Sequence, residues 1–72
     1  MPIPMHPVNS SNISYIGYVE EDKELFITFR SNNSTYKYVD VSKDVYENLK
    51  ASSSIGSYFR NHIQSKYAHS KV

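Results

Sequence analysis

Apolar positions along this chain recur every second residue up to about residue 41 and every third or fourth residue after it. Ile13-Ser14-Tyr15-Ile16-Gly17-Tyr18-Val19 is rich in β-branched and aromatic residues and reads as a first strand. Gly17 weakens a strand interior and marks a bulge, a twist or a close approach. The charged run from Glu20 to Lys23 makes the first hairpin loop. A second strand follows at Leu25-Phe26-Ile27-Thr28-Phe29-Arg30, with Leu25, Ile27 and Phe29 on one face. Ser31-Asn32-Asn33-Ser34 is a turn, and because Asn tolerates positive φ, a two-residue primed turn at Asn32-Asn33 is expected. The third strand runs from Thr35 to about Val41, placing Tyr36 and Tyr38 on one face and Lys37 and Val39 on the other. Short loops between strands predict an antiparallel meander.

Beyond residue 41 the spacing is helical. Ser42 is suited to cap a short helix whose first turn holds Asp44 and whose apolar edge is Val45, Tyr46 and Leu49. Ser52-Ser53-Ser54 interrupts it, and one of these serines caps a second helix. There Ile55, Phe59, Ile63 and Tyr67 repeat every four residues. The fold class expected is α+β: a three-stranded antiparallel meander followed by two helices on one face. With 72 residues there is room for one domain, expected over 8–68. Residues 1–7, with three prolines, are expected to be disordered, and 69–72 to fray.

Composition narrows the chemistry. The chain has no cysteine, which removes disulfides, thiolate metal sites and a cysteine nucleophile. No apolar run approaches the roughly 20 residues of a membrane span, and the N-terminus lacks the pattern of a signal peptide. A cytoplasmic location follows as the expectation. Net charge is only +1, yet all seven carboxylates precede residue 48. Lys50, Arg60, Lys66 and Lys71 make the last third cationic. Late positive charge suits a helix C-terminus, which is the ordinary reading. A surface for phosphates is the functional one.

An ordered set of residues carries a family resemblance. Ser10-Ser11, Ile13, Ile16-Gly17-Tyr18, Leu25, Ile27 and Phe29 come first. Tyr36 and Tyr38, Val41, Val45-Tyr46 and Leu49 follow, and then Ser54, Gly56, Tyr58-Phe59, Ile63 and Tyr67. In this order, from Val8 to Tyr67, the chain resembles the KTSC domain. That module is named for the C-terminal region of some bacterial lysyl-tRNA synthetases and also occurs as free-standing small bacterial and phage proteins. Arg60 stands where an Asn often follows the Tyr-Phe pair, Val41-Ser42 replaces a Val-Pro, Ser52 replaces an Ala, and the turn at Asn32-Asn33-Ser34 lacks the usual glycine. The resemblance implies a binding role near RNA only by association with a synthetase.

Two constellations are candidates for function. On the sheet face opposite the helices, Tyr15 and Phe26 with Arg30 and Lys37 could stack unpaired bases and meet phosphates. At the start of the second helix, Ser54 and Gly56 offer free backbone N–H groups, with Arg60 one turn further on and Lys66 beyond. The ordinary readings are strand packing for the first, and for the second an N-cap with Gly56 admitting close contact between the helices. Tyr18, Tyr36 and Tyr38 read as core. Serines and histidines are plentiful, but no nucleophile elbow or metal-binding helix is present, and a domain this small is expected to lack a pocket of several hundred cubic ångströms. Neither a catalytic residue, a metal site, a cofactor nor a small-molecule substrate is therefore expected. The sequence thus predicts a non-catalytic binding module with RNA as the leading partner, or a bacterial or phage protein-interaction module as the alternative.

Overall fold

A computed structural model describes residues 5–72. Five strands form one antiparallel sheet in sequential order, β1 (Met5–Pro7), β2 (Ile13–Val19), β3 (Glu24–Phe29), β4 (Thr35–Tyr38) and β5 (His69–Lys71). Between β4 and β5 the chain makes α1 (Lys43–Ala51) and α2 (Ile55–His62). The α+β class and both helices agree with the sequence expectation. The sheet is wider than the three strands expected, because a short strand is added at each edge.

Both additions fall in segments where the sequence offers no strand signal. Of the segment 1–7, the first four residues lie outside the described ones, but Met5–Pro7 pairs with β2. Proline is tolerated there because its missing N–H falls on an edge. At the other end His69–Lys71 pairs with β4. Flanking backbone bonds extend that ladder, from the Val39 N–H to the Ala68 carbonyl at 3.0 Å and from the Val72 N–H to the Thr35 carbonyl at 2.9 Å.

The core forms where the period-two and helical patterns meet. Leu25, Ile27 and Ile16 lie on one sheet face and are at most 1% exposed. Tyr38 joins them from β4 by pairing with Leu25. A register shift between Ile13 and Tyr15 lets Ile13 reach the same core, whereas Gly17 pairs with Phe26 in regular register and marks no bulge. Val41, Tyr46, Leu49, Phe59 and Ile63 complete the cluster from the helical half. Tyr18 stacks on Tyr46 with ring centroids 4.9 Å apart, and its hydroxyl donates to the Val41 carbonyl. Phe59 meets Phe29 and Tyr38 edge to face at 5.6 and 5.3 Å.

Three local features differ from the sequence reading. The second hairpin is not a two-residue primed turn. Its loop spans residues 30–33, closed by Phe29 N–H to the Ser34 carbonyl and Asn33 N–H to the Phe29 carbonyl, both 2.9 Å. Of the two asparagines only Asn33 has positive φ, at 56°, whereas a type I′ turn needs it at both. Helix α2 stops at His62, five residues short of the end of the expected stripe at Tyr67. The N–H groups of Ile63 and Gln64 both close on the Phe59 carbonyl, a C-terminal pattern that turns the chain back toward β4. Tyr67 packs against the core from this return and not from the helix. Gly56 is close to the loop before β2 and not to α1, since its nearest neighbours are Ser10 and Asn12.

Candidate nucleic-acid interface

The loop from Asn9 to Asn12 is the organising element of the site. Ser10 Oγ accepts from the N–H groups of Asn12 and Ile13 at 3.3 and 3.4 Å, a hydroxyl-closed turn that leads into β2. The Asn12 carbonyl receives the Arg30 N–H at 2.8 Å, and the Ser10 carbonyl receives Arg30 Nε at 3.0 Å. Arg30 is thereby anchored at both backbone and side chain. Its terminal amino groups make no ion pair among the described residues.

Helix α2 approaches this loop through Gly56. A Cβ there would lie 3.2 Å from Ser10 Oγ, so the helix start and the loop pack more closely than a side chain would comfortably permit. Ser54 occupies the N-cap with extended backbone but gives no side-chain cap bond. The neighbouring Ser52 hydroxyl instead donates to the Ser54 carbonyl at 3.0 Å and accepts its N–H at 3.1 Å. Arg60 follows one turn beyond Gly56, exposed and in no ion pair among the described residues.

Together these segments enclose a groove of about 420 Å³, with Arg30 and Arg60 on its rim and Phe29, Phe59 and Ile13 in its wall. The expectation that so small a domain lacks such a pocket is thus overturned. Two helices with 9 and 8 residues do not cover a five-stranded sheet, and a cleft remains beside α2. A smaller hollow of about 240 Å³ adjoins it, shared through Ser11, Asn12, Gly56 and Arg60 and lined otherwise mainly by serines. Neither lining includes a carboxylate.

The sequence candidates divide into two places. Arg30, Ser54, Gly56 and Arg60 come together around the groove and its adjoining hollow. Tyr15, Phe26 and Lys37 lie on the opposite sheet face, as their pairing register dictates. Tyr15 is 45% exposed there, but Phe26 is only 5% exposed and cannot offer a free ring, so the pair makes no two-aromatic platform. Opposite Gly17 in the register, Phe26 instead lies beside the strand position that lacks a side chain. Lys37 is engaged with Glu24 across the strands at 3.5 Å. Lys66 sits in the exposed turn after α2, outside the groove lining. Sequence reasoning missed Ser10 and Asn12 as site formers and assigned Arg30 to the wrong surface. The Ser10-Ser11 pair was visible, but its partnership with Gly56 spans more than forty residues.

Among the described residues no group of three or more His, Asp or Glu side chains is placed to hold a metal ion. No helix among them is long and apolar enough to cross a membrane. Burial pushes the Tyr38 phenol above its ordinary range, with neighbouring Tyr36 adding to the shift. Burial does the same for Tyr46, opposed by Lys50, whose ammonium lies 4.8 Å from the ring centroid.

The molecule is thus a small α+β domain carrying an open, carboxylate-free cleft between its last helix, which bears Arg60, and the loop edge that bears Arg30. Its sequence matches the KTSC domain over residues 9–67, and the chain belongs to that family. The fold is similar to the crystal structure of a KTSC domain protein from Yersinia pestis, with a TM-score of 0.93, 32% identity and 99% of each chain covered. No curated protein matches the chain.

Proposed function

We propose that this domain is a non-catalytic binding module that holds single-stranded RNA by its phosphodiester backbone in the Arg30–Arg60 groove. The observation carrying this reading is the pairing of two arginines, free of carboxylate partners among the described residues, on the rim of a groove with no acidic residue in its lining. Guanidinium groups bind phosphate through several parallel donors. Three other cations, Lys37, Lys43 and Lys50, are already matched by glutamates. The alternative, a protein-interaction module, calls for an exposed apolar patch. Among the described residues the exposed large hydrophobics are Tyr15 and Val72, one on β2 and the other past the end of β5 rather than a continuous surface.

Titrating a short oligouridylate at low salt, followed by amide chemical shifts, tests the reading. With two to four phosphate contacts, the logarithm of affinity should fall against the logarithm of salt with a slope of about −1.5 to −3. Affinity at physiological salt should be weak, on the order of 10⁻⁴ to 10⁻⁶ M. Replacing Arg30 and Arg60 with Glu should abolish binding and leave the domain folded, because both side chains are exposed and Arg30 gives up only one surface hydrogen bond, to the Ser10 carbonyl. Lys66→Glu should have the smaller effect. An absence of shifts at millimolar RNA, or shifts confined to the Glu20–Glu24 loop, would refute RNA binding and favour the protein-partner alternative.

A further inference from the structure

The groove does not end at Arg30. Phe29, Ser31 and Gln64 also line a second cleft of about 270 Å³, whose far side is built by Tyr36, Tyr38 and His69. The two hollows share a wall and form one trough beside α2, cationic at one end and aromatic at the other. Strand β5 creates the aromatic end. Pairing Tyr38 with His69 puts the imidazole on the same sheet face as the tyrosines. There it stacks on Tyr38 at 5.0 Å with an interplanar angle of 28°, and meets Tyr36 at 6.1 Å. Tyr38 is 2% exposed and serves as the floor, whereas His69 is exposed and Tyr36 partly so. Gln64 and Asn32 are both exposed; the Gln64 amide can donate and accept, while Asn32 Oδ1 already accepts the Ser34 N–H at 3.1 Å and its amide nitrogen remains as a donor.

Resting on the RNA reading above, we infer that this aromatic compartment is a base subsite. One phosphodiester lies between Arg30 and Arg60, and the base next to it stacks on His69, bordered by the steeply inclined ring of Tyr36, with its edge toward Gln64 and Asn32. Every base has a π-face, so stacking there is sequence-tolerant. The amides add a means of reading the base edge. Phosphate recognition and base recognition thus fall to different ends of one trough, and the final strand acquires a role beyond widening the sheet.

The test compares a tetraadenylate with a tetramer of abasic ribose phosphates on the full chain. One stacked base should make the adenylate bind about 5- to 150-fold more tightly, with the same dependence on salt. His69→Ala should bring the adenylate down to the abasic level, and His69→Phe should retain most of the gain. A 2-aminopurine placed in the adenylate should lose fluorescence on binding the unmodified chain, a readout that stands even if His69→Ala weakens β5. Equal binding of the two tetramers, or no quenching, would overturn the base subsite and leave arginine-dependent phosphate binding intact. Failure of both tetramers to bind would overturn the RNA reading as well.

Discussion

Gly56 is held by an oxygen atom rather than by its own backbone, since its φ is not positive. A methyl group there would press on Ser10 Oγ at 3.2 Å, and that oxygen is fixed by two backbone N–H groups. Gly to Ala in a helix is otherwise favourable by about 1 kcal/mol. Displacing Ser10 forfeits two hydrogen bonds of about 0.5–1.5 kcal/mol each, so Gly56→Ala should lower stability by about 1 kcal/mol net. Ser10→Ala removes the obstacle. In a double-mutant cycle read by urea denaturation, Gly56→Ala should cost less in the Ser10→Ala background than alone. Additive effects would mean that the contact is not what requires glycine. Tyr18 is the second residue whose role is specific. Its hydroxyl bonds the Val41 carbonyl where the chain leaves the sheet for α1, so Tyr18→Phe should cost about 0.5–1.5 kcal/mol. No side-chain hydrogen bond is found for Tyr36 or Tyr38 among the described residues, and Phe at either should be nearly neutral by the same urea denaturation.

At the scale of elements, β2, β3, β4, α1 and the start of α2 were legible because each has an apolar face of one period. Leu25 and Ile27 alternate, and Tyr46 and Leu49 share a helix edge. The two edge strands were not legible. His69-Ser70-Lys71 is wholly exposed, so its pairing leaves no hydrophobic signature and depends on backbone bonds to β4. The end of α2 was hidden for the opposite reason. Ile63 and Tyr67 continue the helical spacing, yet the helix ends and Tyr67 reaches the core along a returning chain. Half of the site followed from the sequence, as Ser54, Gly56 and Arg60 lie on one local motif. Arg30 needed the Asn9–Asn12 loop, a contact that periodicity cannot reveal. Phe59 is where these elements meet, 3% exposed and in edge contact with Phe29 and Tyr38. Phe59→Ala should therefore cost about 3–5 kcal/mol. Net stability for this length runs roughly 4–11 kcal/mol, so calorimetry should find a large loss of melting temperature or no cooperative transition. A shift of only a degree or two would place the core elsewhere.

The whole molecule gathers its acids early in the chain and, among the described residues, leaves two arginines without carboxylate partners at the groove, although net charge is only +1. Surface ion pairs such as Lys43–Glu20, at 3.4 Å between exposed side chains, add about 0–1 kcal/mol each and do not set stability. The apolar core and its phenols do. Burial raises the pKa of three phenols, Tyr18, Tyr38 and Tyr46, above 10.0, and in each it is the largest cause. The direction fixes the pH dependence. A phenol whose folded pKa lies above its unfolded value keeps its proton in the native state after the unfolded chain has begun to lose it. Between those two values the unfolded state binds fewer protons, so stability falls as pH rises. The contribution is fully present below about pH 10 and is lost progressively above it. Urea midpoints should consequently show no tyrosine-linked slope near neutrality and should decline from about pH 10 upward. Tyr38→Phe should flatten that decline, because it removes a titrating hydroxyl while keeping the ring against Phe59. An unchanged alkaline limb in Tyr38→Phe would show that Tyr38 ionises as readily folded as unfolded, and the burial of its phenol would have to be revised.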